Sequence, residues 1–176
     1  ALCVFLVARP WLVKTITFPR PVSEQFAAVF EDFRLKVGPV KEEVTPYASN
    51  QGRYIGLAFS GGVDSTAALA ILPSTTVPVF LDRPSFQKSL YEKEAAIDSC
   101  NNLKKIGYRC LMISCDLEMI RHPVGFPTDL ANGVPAIVLA QHLQLFGISY
   151  GVFEFLWFMM GSKWLVEACG WLPIIC

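Results

Sequence analysis

Residues 54–70 read YIGLAFSGGVDSTAALA, and this stretch decides how the rest of the chain is read. Tyr54 to Phe59 has the β-branched and aromatic content of a buried strand, and Ser65 onward has the composition of a helix. The glycines therefore sit on a strand-to-helix turn. Two consecutive glycines admit φ > 0 and let the backbone approach a ligand with no Cβ in the way. The amides that open the following helix have no intrahelical partner, and the positive helix end adds its dipole. A turn of this kind attracts anions, phosphate above all.

The stretch is not a Walker loop, because no Gly-Lys-Ser/Thr follows at the required spacing, and it contains no G-x-G-x-x-G dinucleotide fingerprint. The string SGGVDS, residues 60–65, resembles the SGGxDS signature of the PP-loop ATP pyrophosphatases. In that family the loop grips the pyrophosphate end of ATP, a substrate oxygen attacks the α-phosphate, and a nucleophile then displaces AMP. The resemblance implies ATP and Mg²⁺ as cofactors and a Rossmann-like parallel sheet of the HUP and PP-loop type. It also implies roles. Gly61 and Gly62 present amides to the β- and γ-phosphates, while Ser60, Ser65 and Thr66 add hydroxyl donors at the helix mouth. Asp64 and Ser65 are the candidate catalytic residues. A carboxylate beside a triphosphate is repelled unless a cation lies between them, so Asp64 is the expected metal residue, or else orients the loop. A structural reading of the same residues stays open: a tight turn whose glycines permit close packing and whose Asp64 or Ser65 caps the helix.

With 176 residues the chain has room for one domain with a real core. Hydrophobic residues make up 53% and charged residues 17%, which excludes disorder and implies some exposed apolar surface. Fifteen basic and fifteen acidic residues give zero net charge, which argues against a broad basic face for RNA or DNA. A small-molecule substrate is expected. The chain begins on Ala1 and ends on the apolar WLPIIC, and it reads as a fragment truncated at its C-terminus. The segment ALCVFLVARPWLV is interrupted by Arg9 and Pro10, and Glu154 lies within the apolar run near 153–160, so no membrane span is expected. Cys3, Cys100, Cys110, Cys115, Cys169 and Cys176 contain no C-x-x-C and no zinc-like spacing to His122 or His142. They read as reduced core thiols of a cytoplasmic protein.

Residues 1–53 read as an N-terminal α/β extension: a proline-broken extended segment over 1–21, a helix over Ser23 to Lys36, and a connection. Residues 54–176 form the nucleotide-binding domain. Strands at 54–59, 76–81, 109–115 and 148–153 alternate with helices at 64–72, 85–106 and 134–146. This alternation predicts an α/β fold, a parallel twisted sheet with helices on both faces.

The second strand ends at Asp82 and Arg83, on the carboxyl edge where open α/β sheets bind ligands. The resemblance places Phe80, Leu81 and Asp82 near the base or ribose. Asp82 and Arg83 are equally open to pairing with each other or starting a helix at Ser85. The long loop after the third strand carries Asp116, Glu118, Arg121, His122 and Asp129, of which Arg121 is the candidate pyrophosphate contact through its forked donors. Asn132 and Gly133 read as a turn, His142 as a core or boundary residue, and Glu154 as a buried carboxylate needing a partner. The resemblance gives out after Glu154, where Lys163 is the sole basic residue. Two further classes remain: a nucleotide-binding module without turnover, and an interaction protein that docks its apolar C-terminus on a partner or a second copy.

Overall fold

The computed structural model describes residues 1–8, 11–31, 34–44, 51–84, 92–120, 129–151 and 174–175. A five-stranded sheet organises the chain. Its strands are β3 (Tyr54–Phe59), β4 (Val77–Asp82), β5 (Leu111–Ser114), β6 (Leu145–Tyr150) and β7 (Ile174–Ile175), with β1 (Thr15–Val22) and β2 (Lys36–Val40) lying in a separate ribbon. The spatial order is β5-β4-β3-β6-β7, and every neighbouring pair is parallel. Counted from β3, the chain adds two strands on one side, then crosses over and adds two on the other, so the fold is α/β and Rossmann-like, with its reversal point between β3 and β6.

Strand alternation sends neighbouring side chains to opposite faces, and two apolar layers result. Leu57, Phe59 and Phe80 pack with α3 (Val63–Ile71) and α4 (Lys93–Lys105) through Leu69, Ala96 and Cys100. Ala58, Val77 and Val79 face the other way, toward Val134 and Ala136 of α5 (Val134–Leu139). The central strands β3 and β4 are buried along nearly their whole length, as parallel strands covered on both faces must be. On the edge strand β5, burial alternates between half-buried and exposed.

The extended segment expected over 1–21 holds for its second half, as a strand through FPRPV, but not for its first residues. Leu2–Ala8 is a helix, α1, which packs against α5. Thr15–Val22 is a strand, β1, paired in parallel with β2 (Lys36–Val40). The register breaks between Thr17 and Val22, the span that holds Pro19 and Pro21. Proline has no amide to give a ladder, so an irregular strand in a two-stranded ribbon can absorb both. The helix expected over Ser23 to Lys36 is shorter, Glu24–Val29 (α2), capped by Ser23, whose Oγ accepts from the Phe26 amide at 3.2 Å. Arg34 adopts φ +55°, and the chain turns so that Leu35 is buried and Lys36 enters β2. Tertiary burial of Leu35 thus outweighs the helical periodicity.

Two further boundaries move. The helix expected over 134–146 stops at Leu139, because Leu143 and Leu145 are drawn into the core and Gln144 takes φ +54°. The last long strand therefore runs over 145–150 rather than 148–153. Of the helix expected over 85–106, residues 93–105 are described as helical, and 85–91 lie outside the described residues. Strand β7 had no counterpart in the sequence reading. No helix among the described residues is long and apolar enough to cross a membrane.

Phe5, Phe18, Phe26 and Phe30 belong to the same contiguous core as Val77, Val79 and Ile148 of the main sheet. Phe30 is 1% exposed and meets Phe5 edge-on at 4.5 Å and Phe26 at 4.8 Å between ring centroids. Replacing it by alanine is expected to cost about 3–5 kcal/mol. Urea unfolding followed by circular dichroism should show this loss in one cooperative transition; two separate transitions would mean that residues 1–44 fold on their own.

Candidate functional site

Strand β3 delivers Ser60 to the carboxyl edge, and α3 begins three residues later with Gly62 as its N-cap. Between them the loop closes on itself. The Ser60 amide donates to Ser65 Oγ at 3.3 Å, the Gly62 amide donates to Ser60 Oγ at 3.3 Å, and the two serine oxygens are 3.2 Å apart. Ser65 Oγ donates to the Gly62 carbonyl at 3.1 Å. A hydroxyl has a single proton, so with Ser65 donating to Gly62 it is Ser60 that donates to Ser65. The Gly62 carbonyl also accepts from Thr66 Oγ1 at 2.8 Å and from the Thr66 amide at 3.0 Å.

The three hydroxyls expected to face a phosphate thus hold the loop in shape. Ser65, 3% exposed, is the staple at its centre. The donors that remain are the amides of Gly61, Val63 and Asp64, which make no hydrogen bond to another described residue and stand at the open end of α3.

The two glycines of the loop serve different ends. Gly61 takes φ +78°, and a Cβ there would stand 2.9 Å from Ala96 Cα of α4. Its missing side chain is required by packing. Gly62 has φ −79°, which any residue adopts, and a Cβ would meet Ser60 Oγ at 3.4 Å and nothing else. Neither strain nor packing calls for a missing side chain at 62. What Gly62 leaves open is the space in front of the helix mouth.

A third glycine, which sequence reasoning passed over, closes the loop from the far side. Gly151 follows β6, and a Cβ on it would lie 2.6 Å from the Asp64 carbonyl and the Ser65 amide. The exit of β6 therefore nests against the first turn of α3, at the reversal point of the sheet. An isolated glycine at the end of a strand pattern was the available signal. Gly133, the N-cap of α5, likewise permits contact with the Tyr150 hydroxyl.

Asp64 is exposed in the first turn of α3, and the cap is Gly62, so Asp64 is not the N-cap. Among the described residues no group of three His, Cys, Asp or Glu side chains is close enough to hold a metal on its own. A lone carboxylate fits Mg²⁺ all the same, since that ion takes one or two carboxylates and completes its shell with water and phosphate oxygens.

One strand away, at the ends of β4 and β5, lies an open cleft of about 460 Å³ lined by Asp82, Arg83, Pro84, Lys93, Ser114, Cys115 and Asp116. Asp82 is ion-paired in this cleft. Its partner is Lys93 at the start of α4, Nζ to Oδ1 2.6 Å, with each side chain 27% exposed. The contact is an ion pair by distance, and Oδ1 accepts no aligned hydrogen bond among the described residues. Lys93 Nζ also donates to the Arg83 carbonyl at 3.1 Å, and Ser114 Oγ donates to Asp82 Oδ2 at 3.4 Å. Lys93 carried no signal in the sequence, because ten residues separate it from Asp82 and only the fold joins them.

The remaining expected residues scatter. The Phe80 side chain is 1% exposed within the α3/α4 layer, so it belongs to the core and shapes the sheet rather than the cleft surface. Leu81 is buried as well. His142 is exposed in the turn before β6, not at the core boundary, because the helix expected to carry it ends at Leu139. Glu118 lies in a short 3₁₀ turn, Leu117–Ile120, and Asp129 and Asn132 in another, Asp129–Gly133. Arg121, His122, Glu154 and Lys163 lie outside the described residues. Cys110 and Cys115 flank β5 instead of lying on it, and Cys3, Cys100, Cys110 and Cys115 are free thiols. The Cys100 thiol donates to the sulfur of Cys110, which holds the proton on Cys100 and favours the thiolate at Cys110; burial opposes charge at both.

Comparison of the chain with protein-family models found no match, and comparison with curated proteins found none.

The two loop glycines should separate cleanly on substitution. Gly61→Ala is expected to destabilise the fold by about 1–3 kcal/mol through its positive φ and the clash with α4. Gly62→Ala should cost no more than about 1 kcal/mol in the same urea titration, the preference for glycine over alanine at a helix N-cap.

Proposed function

We propose that the loop over residues 60–66 binds ATP with Mg²⁺, and that the chain is an ATP pyrophosphatase domain of the PP-loop kind. It transfers the adenylyl group of ATP to an oxygen of a small substrate and releases pyrophosphate. The observation that carries this reading is Gly62, a glycine that neither its dihedral angles nor its packing requires, in front of unpaired amides at a helix mouth. The location agrees, since ligands of open α/β sheets collect at the carboxyl edge where strand order reverses.

This reading assigns each residue a role. The amides of Gly61, Val63 and Asp64 receive phosphate oxygens, charge that grows on the departing pyrophosphate included. Asp64 is the residue that would hold Mg²⁺, and the ion would supply charge neutralisation for the polyphosphate. Ser65 is a positioning residue: its hydroxyl fixes the Gly62 carbonyl and, through Ser60, the direction of the Gly62 amide. Asp82 stands at the neighbouring strand end, where its carboxylate suits ribose hydroxyls. We assign the activity to the cytoplasm, where ATP is plentiful and free thiols such as those of Cys100 and Cys110 persist.

Titration of the chain with ATP and Mg²⁺, alongside pyrophosphate release, tests the proposal. Gly62→Ala and the Asp64→Ala, Ser65→Ala double variant should each weaken ATP by about tenfold or more, a loss of about 1.4 kcal/mol. Because Gly62→Ala is expected to fold normally, its loss reports the ligand contact itself. Binding sensitive to these variants but without turnover would reduce the assignment to a nucleotide-binding module. Absence of ATP binding by wild type would refute it.

A further inference from the structure

We infer that Cys100 and Cys110 form a redox switch: a peroxide closes them into a disulfide between α4 and the start of β5, and a thiol reductant reopens it. The backbone sets up the encounter. Where α4 ends, Gly107 takes φ +96°, its amide donates to the Lys104 carbonyl at 3.1 Å, and the Tyr108 amide donates to the Leu103 carbonyl at 3.0 Å. This is a Schellman closure, which turns the chain back on the last turn of the helix. Cys110, two residues beyond Tyr108, therefore returns beside Cys100, which lies one turn before Leu103. Both side chains are buried in the same apolar layer, 0% and 4% exposed, and the Cys100 thiol donates to the Cys110 sulfur. A disulfide needs a backbone that already brings its two sulfurs together, and this turn supplies one.

The two thiols are not equivalent. Their shared hydrogen bond pushes the Cys100 thiol up, and burial adds to the effect. The same bond draws Cys110 down; burial works against this, and the Lys104 ammonium works with it. Since the thiolate is the nucleophile, Cys110 is the sulfur that attacks first. Access to it is short. Cys110 leads into the edge strand β5, and the turn before it is exposed at Ile106 and Gly107. Opening of that turn alone admits a molecule as small as hydrogen peroxide.

The Cys110 sulfur attacks one oxygen of the peroxide, the O–O bond breaks, and hydroxide leaves with the electron pair and takes up the Cys110 proton as water. Cys110 is now a sulfenic acid. The Cys100 sulfur attacks the Cys110 sulfur, the S–O bond breaks, and the oxygen departs with the Cys100 proton as a second water. Two thiols and one peroxide thus give one disulfide and two waters.

The switch reaches the loop through α4. Ala96 lies one turn before Cys100 on the same helix face, and it is the residue that the bare Cα of Gly61 admits. A bond at Cys100 fixes α4 to the start of β5 just beyond this seat, so the redox state is felt at residues 60–66. In a reducing compartment the pair rests as free thiols, and disulfides that form there transiently serve redox sensing.

Peptide mapping by mass spectrometry of the full chain, without ATP, tests the inference independently of the nucleotide reading. Brief treatment of native wild type with hydrogen peroxide should yield a peptide that joins Cys100 to Cys110, with loss of both thiols, and dithiothreitol should restore them. Cys100→Ser should stop at a Cys110 sulfenic acid that dimedone traps, whereas Cys110→Ser should leave Cys100 unlabelled. Hydrogen exchange at residues 60–66 should differ between the reduced and oxidised wild-type chains. Four results overturn the inference: peroxide leaves the wild-type pair as thiols, it joins either residue to another cysteine instead, the serine variants label in the reverse order, or the disulfide forms and exchange at 60–66 is unchanged.

Discussion

At Gly61 and Gly151 the backbone of a neighbouring element stands close to where a Cβ would be, and the junction of β3 with α3 depends on that shared absence. Gly61 lets α4 come down on the loop from one side, and Gly151 lets the exit of β6 press on the first turn of α3 from the other. Two neighbouring strands of the sheet and the helices beside them are thereby drawn to a common point. Everything else at the carboxyl edge takes its position from this point. The cleft follows because α4, seated on Gly61 through Ala96, carries Lys93 at its N-terminal end, one turn earlier on the same helix. A bulkier residue at 61 would lift the helix and the ion pair with it.

The carbonyl of Gly62 is the second fixed point. It accepts from Ser65 Oγ, from Thr66 Oγ1 and from the Thr66 amide, so a single peptide plane is held by hydroxyls that the sequence would assign to a ligand. Short polar side chains at the start of a helix commonly bond to nearby backbone in this way. The division of labour that results is clean. Side chains shape the loop and backbone amides face outward. Recognition through amides is indifferent to side-chain rotamers, and this stiffness is what an anion site needs.

How much of this was legible in the sequence depends on the range of the interaction concerned. Strand β3 and the start of α3 were read within a residue, because apolar run, glycine pair and helix formers are consecutive and local. The α/β class followed from alternation alone. Local signals failed where distant burial decided: Leu35 and Leu145 pull their segments out of helical periodicity, and no window of neighbouring residues contains the core that attracts them. The same limit applied at the site. Ser60 to Thr66 could be found as a string, whereas Lys93 and Gly151 acquire meaning only when α4 and β6 arrive. Phe80 shows the converse, since a residue at the correct edge of the sheet still points into a core layer.

The strand order carries a consequence for synthesis. β3 pairs with β4 close behind it in the chain, but its other neighbour is β6, with Tyr54 opposite Leu145. Closing so long a loop is entropically slow, and chains that emerge from the ribosome acquire their N-terminal contacts first. A nascent chain that ends after β5 already contains the SGGVDS string, α3 and α4, yet β3 has one bare edge and the first turn of α3 has no Gly151 beneath it. The SGGVDS turn is thus among the earliest parts to be made and among the last to be completed.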